Sequence, residues 1–140
     1  MRRNDLCDDI AAICYPLPQP PGPGDEHDDP DAQAYQDQRE RIEELREEHA
    51  QRLRELWHEA DIDPLLSEIR QARAEMLAAE RLMRLLIAYA REFVRPRPYR
   101  LEDLANAASL SLSGVRIAYD DDEIDHVADQ TGQQPRRPNT

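Results

Sequence analysis

The chain of 140 residues has no lysine, one tryptophan, one phenylalanine and no long apolar run. A membrane-spanning helix needs about 20 consecutive apolar residues, and the most apolar stretch, 82–94, is interrupted by three charged side chains. No apolar segment of a signal peptide follows Arg2 and Arg3. We therefore expect a soluble, cytoplasmic protein that does not enter a membrane.

Metal-binding and catalytic patterns are also scarce. Cys7 and Cys14 are the only cysteines, whereas a structural zinc site usually takes four ligands. We interpret both as small apolar residues on an N-terminal helix. The four histidines have no acidic ligands at metal spacing, and the sequence contains neither a glycine-rich phosphate loop nor an HExxH motif. These absences predict no metal, no cofactor and no enzymatic activity.

Acidic residues dominate the charge but are unevenly distributed. The formal net charge is −12. The first 34 residues carry an excess of acids, and residues 120–129 carry six acids and no arginine. Between residues 95 and 119, by contrast, four arginines accompany two acids, which leaves a local net charge of +2. Any attraction to an anionic partner is therefore expected at residues 95–119, where the local charge is weakly positive.

Proline and glycine divide the chain. Residues 1–31 are predicted to be largely disordered: residues 1–14 have the spacing of one weak helix, and 15–31 form a proline-rich, acidic linker. Residues 131–140 are predicted to be a disordered tail, with Gly132 as a helix stop.

Residues 32–94 are predicted to form two long amphipathic helices. The first, from 32 to 60, contains no proline or glycine and carries a thin apolar stripe. The motif DIDP at 61–64 interrupts it, with Asp63 as the N-cap and Pro64 in the first turn of the second helix.

The second long helix carries a three-four repeat of apolar residues over nearly four heptads. We expect this repeat to form the core or the dimer interface, through Ile69, Met76, Met83, Leu86 and Phe93. The stripe can be covered by a hairpin within one chain, by a coiled coil between two chains, or by both. We expect a homodimer, and the long helices can also bind another protein.

Residues 95–130 are predicted to form a compact module of three short helices at 101–108, 112–119 and 121–130. Ser109 and Leu110 make a tight turn between the first two, and Ser111 caps the second. Val115 points to the core. The remaining positions lie near the outer face: Leu112, Ser113, Arg116 and Ile117.

The stretch YRLEDLANAASLSLSGVRIAYDDDEI resembles the helix-turn-helix of small DNA-binding regulators from high-GC, actinobacterial-type bacteria, and more distantly the promoter-reading module of sigma factors. The resemblance covers about residues 99–128 and departs at the turn, where Ser109 stands in place of the usual glycine. It implies a sequence-specific transcriptional regulator that binds double-stranded DNA. The candidate DNA-binding residues are Arg95, Arg97, Arg100, Ser111, Ser113 and Arg116.

The sequence thus predicts an all-α fold, in which a long hairpin or coiled-coil dimerisation unit precedes a C-terminal helix-turn-helix. An alternative function stays open at this point. The long helices can belong to a protein-interaction adaptor or coiled-coil scaffold, in which the C-terminal helices are only structural.

Overall fold

The computed structural model describes residues 3–20 and 30–136. Within this part of the chain the protein is all-helical, without a strand, as the sequence predicts. The helices are α1 (Arg3–Cys14), α2 (Pro30–Ala60), α3 (Pro64–Glu92), α4 (Leu101–Ala108), α5 (Leu112–Arg116) and α6 (Asp121–Thr131). Among the described residues, no helix is both long and apolar enough to cross a membrane.

The chain divides into two compact units, Met1–Gln71 and Ala72–Thr140, so the boundary falls inside α3. Unit 1 contains α1, α2 and the first turns of α3, and unit 2 contains the rest of α3 with α4 to α6. The domain boundaries predicted from composition, after residues 31, 94 and 130, stay a prediction.

The core of unit 1 forms where α1 packs on α2. Its buried side chains are Cys7, Ile10, Ala11, Ala50 and Leu53. The Arg46 guanidinium donates hydrogen bonds to the carbonyls of Tyr15, at 2.7 Å, and Ala12, at 3.4 Å, beside the end of α1. α1 occupies the stretch 1–14, for which the sequence predicts one weak helix. The central part of the predicted linker, residues 21–29, lies outside the described residues.

The break between the two long helices forms as its sequence predicts. The Asp63 carboxylate accepts a hydrogen bond from the backbone amide of Leu66 at 2.9 Å, which satisfies one of the unpaired amides at the start of α3. Pro64 occupies the first position of α3, where its missing amide costs nothing, and its ring is fully buried.

The described residues of unit 2 form two apolar clusters. The α4–α5 cluster has Ile87, Ala105 and Val115 at its centre, and the α6 cluster has Ala88, Phe93, Ile124 and Val127. Tyr119 is half-buried and packs against both clusters. Its hydroxyl donates a hydrogen bond to the Glu92 carboxylate at 2.7 Å.

The end of α3 is covered by two returning segments. The Arg91 guanidinium donates to the Tyr99 carbonyl at 2.8 Å. Arg136 donates from its backbone amide to the Glu92 carbonyl, at 2.6 Å, and from its side chain to the Arg91 carbonyl, at 2.7 Å. The predicted disordered tail, 131–140, therefore includes a residue that satisfies the last carbonyls of α3. Residues 137–140 lie outside the described part.

Candidate functional site

The candidate site begins with α4, which spans the predicted residues 101–108. Ala105 is buried, and Leu101 and Leu104 pack into the α4–α5 cluster. The three side chains recur at the spacing of one helix face, so α4 turns its apolar side to the core. Glu102 and Asp103 lie in its first turn, where acidic groups favour the positive end of a helix.

The turn after α4 is made by a serine in the left-handed conformation. Ser109 has φ 54° and ψ 42°. This geometry brings the Leu110 backbone amide within 2.9 Å of the Ala105 carbonyl, and the Leu110 side chain packs into the α4–α5 cluster. Ser109 and Leu110 therefore end α4 in a tight turn, as the sequence predicts.

Ser111 caps α5. Its hydroxyl accepts a hydrogen bond from the Gly114 backbone amide at 2.9 Å. A Cβ atom on Gly114 would lie 3.1 Å from that hydroxyl oxygen, so the absence of a side chain permits the close approach of the cap. Val115, one residue further, is completely buried and fixes the orientation of α5.

The second helix is shorter than predicted. The sequence predicts residues 112–119, whereas α5 ends at Arg116 and has five residues. Ile117 follows as the C-cap, and Ala118 and Tyr119 reach the apolar clusters from the turn rather than from the helix. α5 ends early because α6 starts at Asp121 and its N-cap, Asp120, needs an extended backbone, which cannot continue a helix from α5.

The outer face of α5 is exposed. Ser113 and Arg116 are both on the surface, and among the described residues no ion pair involves Arg116. Two apolar side chains accompany them: Leu112 is 43% exposed and Ile117 is 82% exposed. All four residues lie where the sequence predicts, and this face can offer hydrogen-bond donors together with apolar contact.

The three arginines that precede α4 are exposed as well. Arg95 and Arg97 lie in the segment between α3 and α4, and Arg100 is the N-cap position of α4. The Arg100 guanidinium forms an ion pair with the Glu102 carboxylate at 3.1 Å. Both side chains are mostly exposed, so this pair contributes little stability and the guanidinium can exchange it for another anion.

The acidic run after α5 has a structural use. The Asp120 carboxylate accepts from the Asp122 amide at 2.9 Å, and the Glu123 carboxylate accepts from the Asp120 amide at 3.0 Å. This is the predicted capping box. The hydrogen bonds with the Glu123 side chain and the Asp122 amide lower the pKa of the Asp120 carboxyl. The Asp120 carboxyl therefore favours its charged form at the start of α6.

The predicted interface residues of α3 divide between surface and core. Ile69, Met76 and Leu86 are 57%, 60% and 58% exposed, whereas Phe93 is buried and Met83 is half-buried. Apolar grooves of about 300 Å³ and about 320 Å³ flank Leu86. One lies between α3 and α4, and the other lies between α3 and α6. Within unit 2, the exposed Leu86 side chain thus lies between two apolar surface depressions.

A group that the sequence analysis missed lies in unit 1. Cys14, His49 and Glu68 come from three different helices, and each offers a ligand atom within 4.8 Å of the other two. Their separations in sequence match no metal motif. The one sequence feature that could have pointed to this group is His49, a polar residue on the apolar stripe of α2.

The chain was compared with protein-family models, curated proteins and solved structures, and it matches none of them.

Proposed function

We propose that the protein is a transcriptional regulator that binds double-stranded DNA as a homodimer, with α4 and α5 acting as a helix-turn-helix. The observation that carries the proposal is the orientation of α5, which has one face buried in the core and one face exposed. Val115 anchors one side of the helix in the core while Ser113 and Arg116 project from the other. A recognition helix needs one rigidly held face and one exposed face. The resemblance of residues 99–128 to helix-turn-helix regulators agrees with this assignment.

Arg116 and Ser113 are the proposed base-reading residues. A guanidinium has five donors in a planar fork and can bind the O6 and N7 atoms of guanine together, and a hydroxyl can donate to or accept from a base edge. Ser111 accepts the Gly114 amide, and its hydroxyl also shares a hydrogen bond of 3.2 Å with the Ser113 hydroxyl, in which either can donate. When Ser113 donates in that bond, the Ser111 proton can reach a phosphate oxygen. Leu112 and Ile117 can contact thymine methyl groups.

Arg95, Arg97 and Arg100 are the proposed phosphate-binding residues. They precede α4 and are exposed, and a helix-turn-helix crosses the DNA backbone with its first helix. Contacts to phosphate set the position of the protein without reading sequence. Base readout and positioning are therefore assigned to separate side chains, which allows separate tests.

The low positive charge of the module favours a dimer. Residues 95–119 carry a net charge of +2 within a chain of −12, so a single module binds phosphate weakly. Two modules joined through α3 would act together on two half-sites. A second copy of the chain suits the exposed repeat of α3, because Leu86 is exposed between two apolar grooves and a two-fold axis would present the same apolar surface from both copies.

The test compares two arginine variants on duplex DNA. A preferred site is first selected from random duplexes, and affinity is then measured on that site and on an unrelated duplex at several salt concentrations. Arg116→Ala should weaken the preferred site by about 1 to 3 kcal/mol and remove most of the preference. Arg97→Ala should weaken both duplexes equally and reduce the salt slope by about one.

The matched control is Arg73→Ala, which removes the same charge from an exposed position of α3. It should leave affinity, preference and salt slope nearly unchanged. If Arg116→Ala keeps its helix content and binds both duplexes as the parent protein does, α5 does not read DNA.

A second function is favoured by the apolar part of the α5 surface. Ile117 is 82% exposed beside Leu112, and a surface of this kind also suits a protein partner. In a protein-interaction adaptor α4 and α5 would carry that surface, and neither duplex would bind above background at low salt. The same binding experiment therefore separates the two functions.

A further inference from the structure

Three side chains with different ligand chemistry meet in unit 1. Cys14 is the last residue of α1, His49 lies in the second half of α2, and Glu68 lies near the start of α3. The Cys14 Sγ atom is 3.7 Å from Glu68 Oε2, and His49 Nε2 is 2.6 Å from Glu68 Oε1. The imidazole and the carboxylate are mostly buried, with 16% and 21% of their side chains exposed.

The imidazole is poorly satisfied by its protein neighbours. Both nitrogens of His49 are buried, and neither makes a hydrogen bond of acceptable geometry within the described part of the chain. The 2.6 Å approach to Glu68 is thus a close contact without a well-directed hydrogen bond. The edge of the Tyr15 ring packs against the imidazole, with ring centres 5.5 Å apart. A buried nitrogen with no well-directed partner is costly unless another ligand binds it.

We propose that Cys14, His49 and Glu68 bind a Zn²⁺ ion, with water at the fourth position. A thiolate, an imidazole and a carboxylate are the three ligand types that zinc accepts, whereas magnesium and calcium take oxygen ligands. Cys14 is exposed, so solvent can reach the side of the site that lacks a protein ligand. The site is independent of the proposed DNA-binding function, since all three ligands belong to unit 1.

The distances fit a tetrahedral ion after a small adjustment. Zinc bond lengths of about 2.0 to 2.3 Å place a sulfur and an oxygen ligand about 3.6 Å apart, and a nitrogen and an oxygen ligand about 3.4 Å apart. The Cys14 Sγ–Glu68 Oε2 distance of 3.7 Å is close to the first value, whereas His49 Nε2 lies nearest the other carboxylate oxygen, Oε1. The nitrogen–oxygen distance of 2.6 Å must lengthen by less than about 1 Å, which rotation of the Glu68 carboxylate can provide.

The electrostatics of the site also favour a cation. Cys14 ends α1, where the helix carries partial negative charge on its last carbonyls. Arg46 binds the carbonyls of Ala12 and Tyr15 at this end of α1, so most of the attraction for a cation comes from the Cys14 thiolate and the Glu68 carboxylate. With a thiolate and a carboxylate as ligands, a divalent ion makes the site neutral. Zinc would also join α1, α2 and α3 at one point, and binding would thereby stabilise unit 1.

The experiment uses the full, untagged chain, stripped of metal and titrated with Co²⁺ and Zn²⁺. We expect one equivalent of Co²⁺ to produce a thiolate-to-metal charge-transfer band in the near ultraviolet, and Zn²⁺ to displace it. Cys14→Ser should abolish that band, and His49→Gln and Glu68→Gln should each raise the dissociation constant for Zn²⁺ by about 10- to 100-fold or more. Affinity should fall as pH is lowered, because the ligands must lose protons to bind.

Two controls distinguish this site from incidental binding. Cys7→Ala removes the other thiol, whose pKa is raised by burial, and should keep the band. His58→Gln removes an exposed histidine of α2 and should keep the Zn²⁺ affinity. Circular dichroism checks that each variant retains its helices. The proposal is overturned if the band survives in Cys14→Ser, or if folded His49→Gln binds Zn²⁺ as tightly as the parent protein.

Discussion

Ser109→Gly should stabilise unit 2, although glycine usually destabilises a folded chain. Ser109 adopts φ 54° and ψ 42° at the end of α4, and its side chain is exposed. Its backbone amide bonds to the Asn106 carbonyl, and the next amide bonds to the Ala105 carbonyl. Glycine can keep both hydrogen bonds and loses no packing. The substitution therefore isolates the backbone conformation itself.

The magnitude follows from two opposing effects. A residue with a Cβ atom pays roughly 1 to 2 kcal/mol to occupy the left-handed region. Glycine removes that cost but loses more conformational freedom on folding, about 0.5 to 1 kcal/mol. The midpoints of the two ranges differ by about 0.75 kcal/mol, so we expect Ser109→Gly to raise the free energy of unfolding of unit 2 by about 0.5 to 1 kcal/mol.

Native-state hydrogen exchange is the suitable assay, because it resolves single amides within unit 2. The reporters are the Leu110 and Val115 amides, which donate to the Ala105 and Ser111 carbonyls. Their exchange should slow by about two- to fivefold in Ser109→Gly. The matched control, Ser113→Gly, makes the same chemical change at an exposed position inside α5 and should speed exchange, because a helical serine gains nothing from glycine.

The two variants must shift exchange in opposite directions. If Ser109→Gly leaves these amides unchanged or speeds their exchange while Ser113→Gly behaves as expected, the left-handed serine carries no strain, and the reasoning from its φ angle is wrong.

Two other predictions concern unit 2. Leu86→Asp should convert the proposed dimer to a monomer with unchanged helix content. Leu86 is 58% exposed on the single chain, so a charge there would be buried only in the dimer, at a cost of several kcal/mol. Sedimentation should show the monomer, and the control Ala78→Asp, at an exposed position outside the three-four repeat, should remain dimeric. Burial and the hydrogen bond to Glu92 raise the pKa of Tyr119 to about 12. The folded pKa exceeds the ordinary value of about 10, so the stability due to the protonated phenol is complete below about pH 10 and lost as pH rises to about 12. The phenol is partly exposed, so we expect Tyr119→Phe to lower the free energy of unfolding by about 1 kcal/mol at neutral pH. Between about pH 10 and 12 the variant should lose less stability than the parent protein. Urea unfolding at several pH values measures both effects, and equal losses in parent and variant over that range would contradict the prediction.

Local sequence signals predicted much of the secondary structure. The bounds of α4 and the caps at Asp63, Ser111 and Asp120 all follow from short-range chemistry, in which one side chain satisfies an amide two or three residues away. The length of α5 did not follow, because the apolar spacing at Ala118 continues past the point where the backbone must extend to start α6.

Tertiary pairing was harder to predict than local structure. α1 was expected to be at most a weak helix, yet its buried residues form the core of unit 1 with α2. The thin stripe of α2 indicated that a partner was needed without indicating which helix supplies it. The same limit applies to Cys14, His49 and Glu68, because their meeting depends on three separate helices and no local pattern encodes it.

Tyr119 changes how substitutions in α6 should be interpreted. Its ring packs against both clusters of unit 2, and its hydroxyl is held by Glu92. A substitution at Ile124 or Val127 that displaces this ring would tilt α5 and alter the orientation of Arg116 without any contact to it. In a mutational survey of the proposed DNA binding, substitutions in α6 that abolish binding would then identify residues that support α5. The set of sensitive positions would be wider than the proposed binding surface itself.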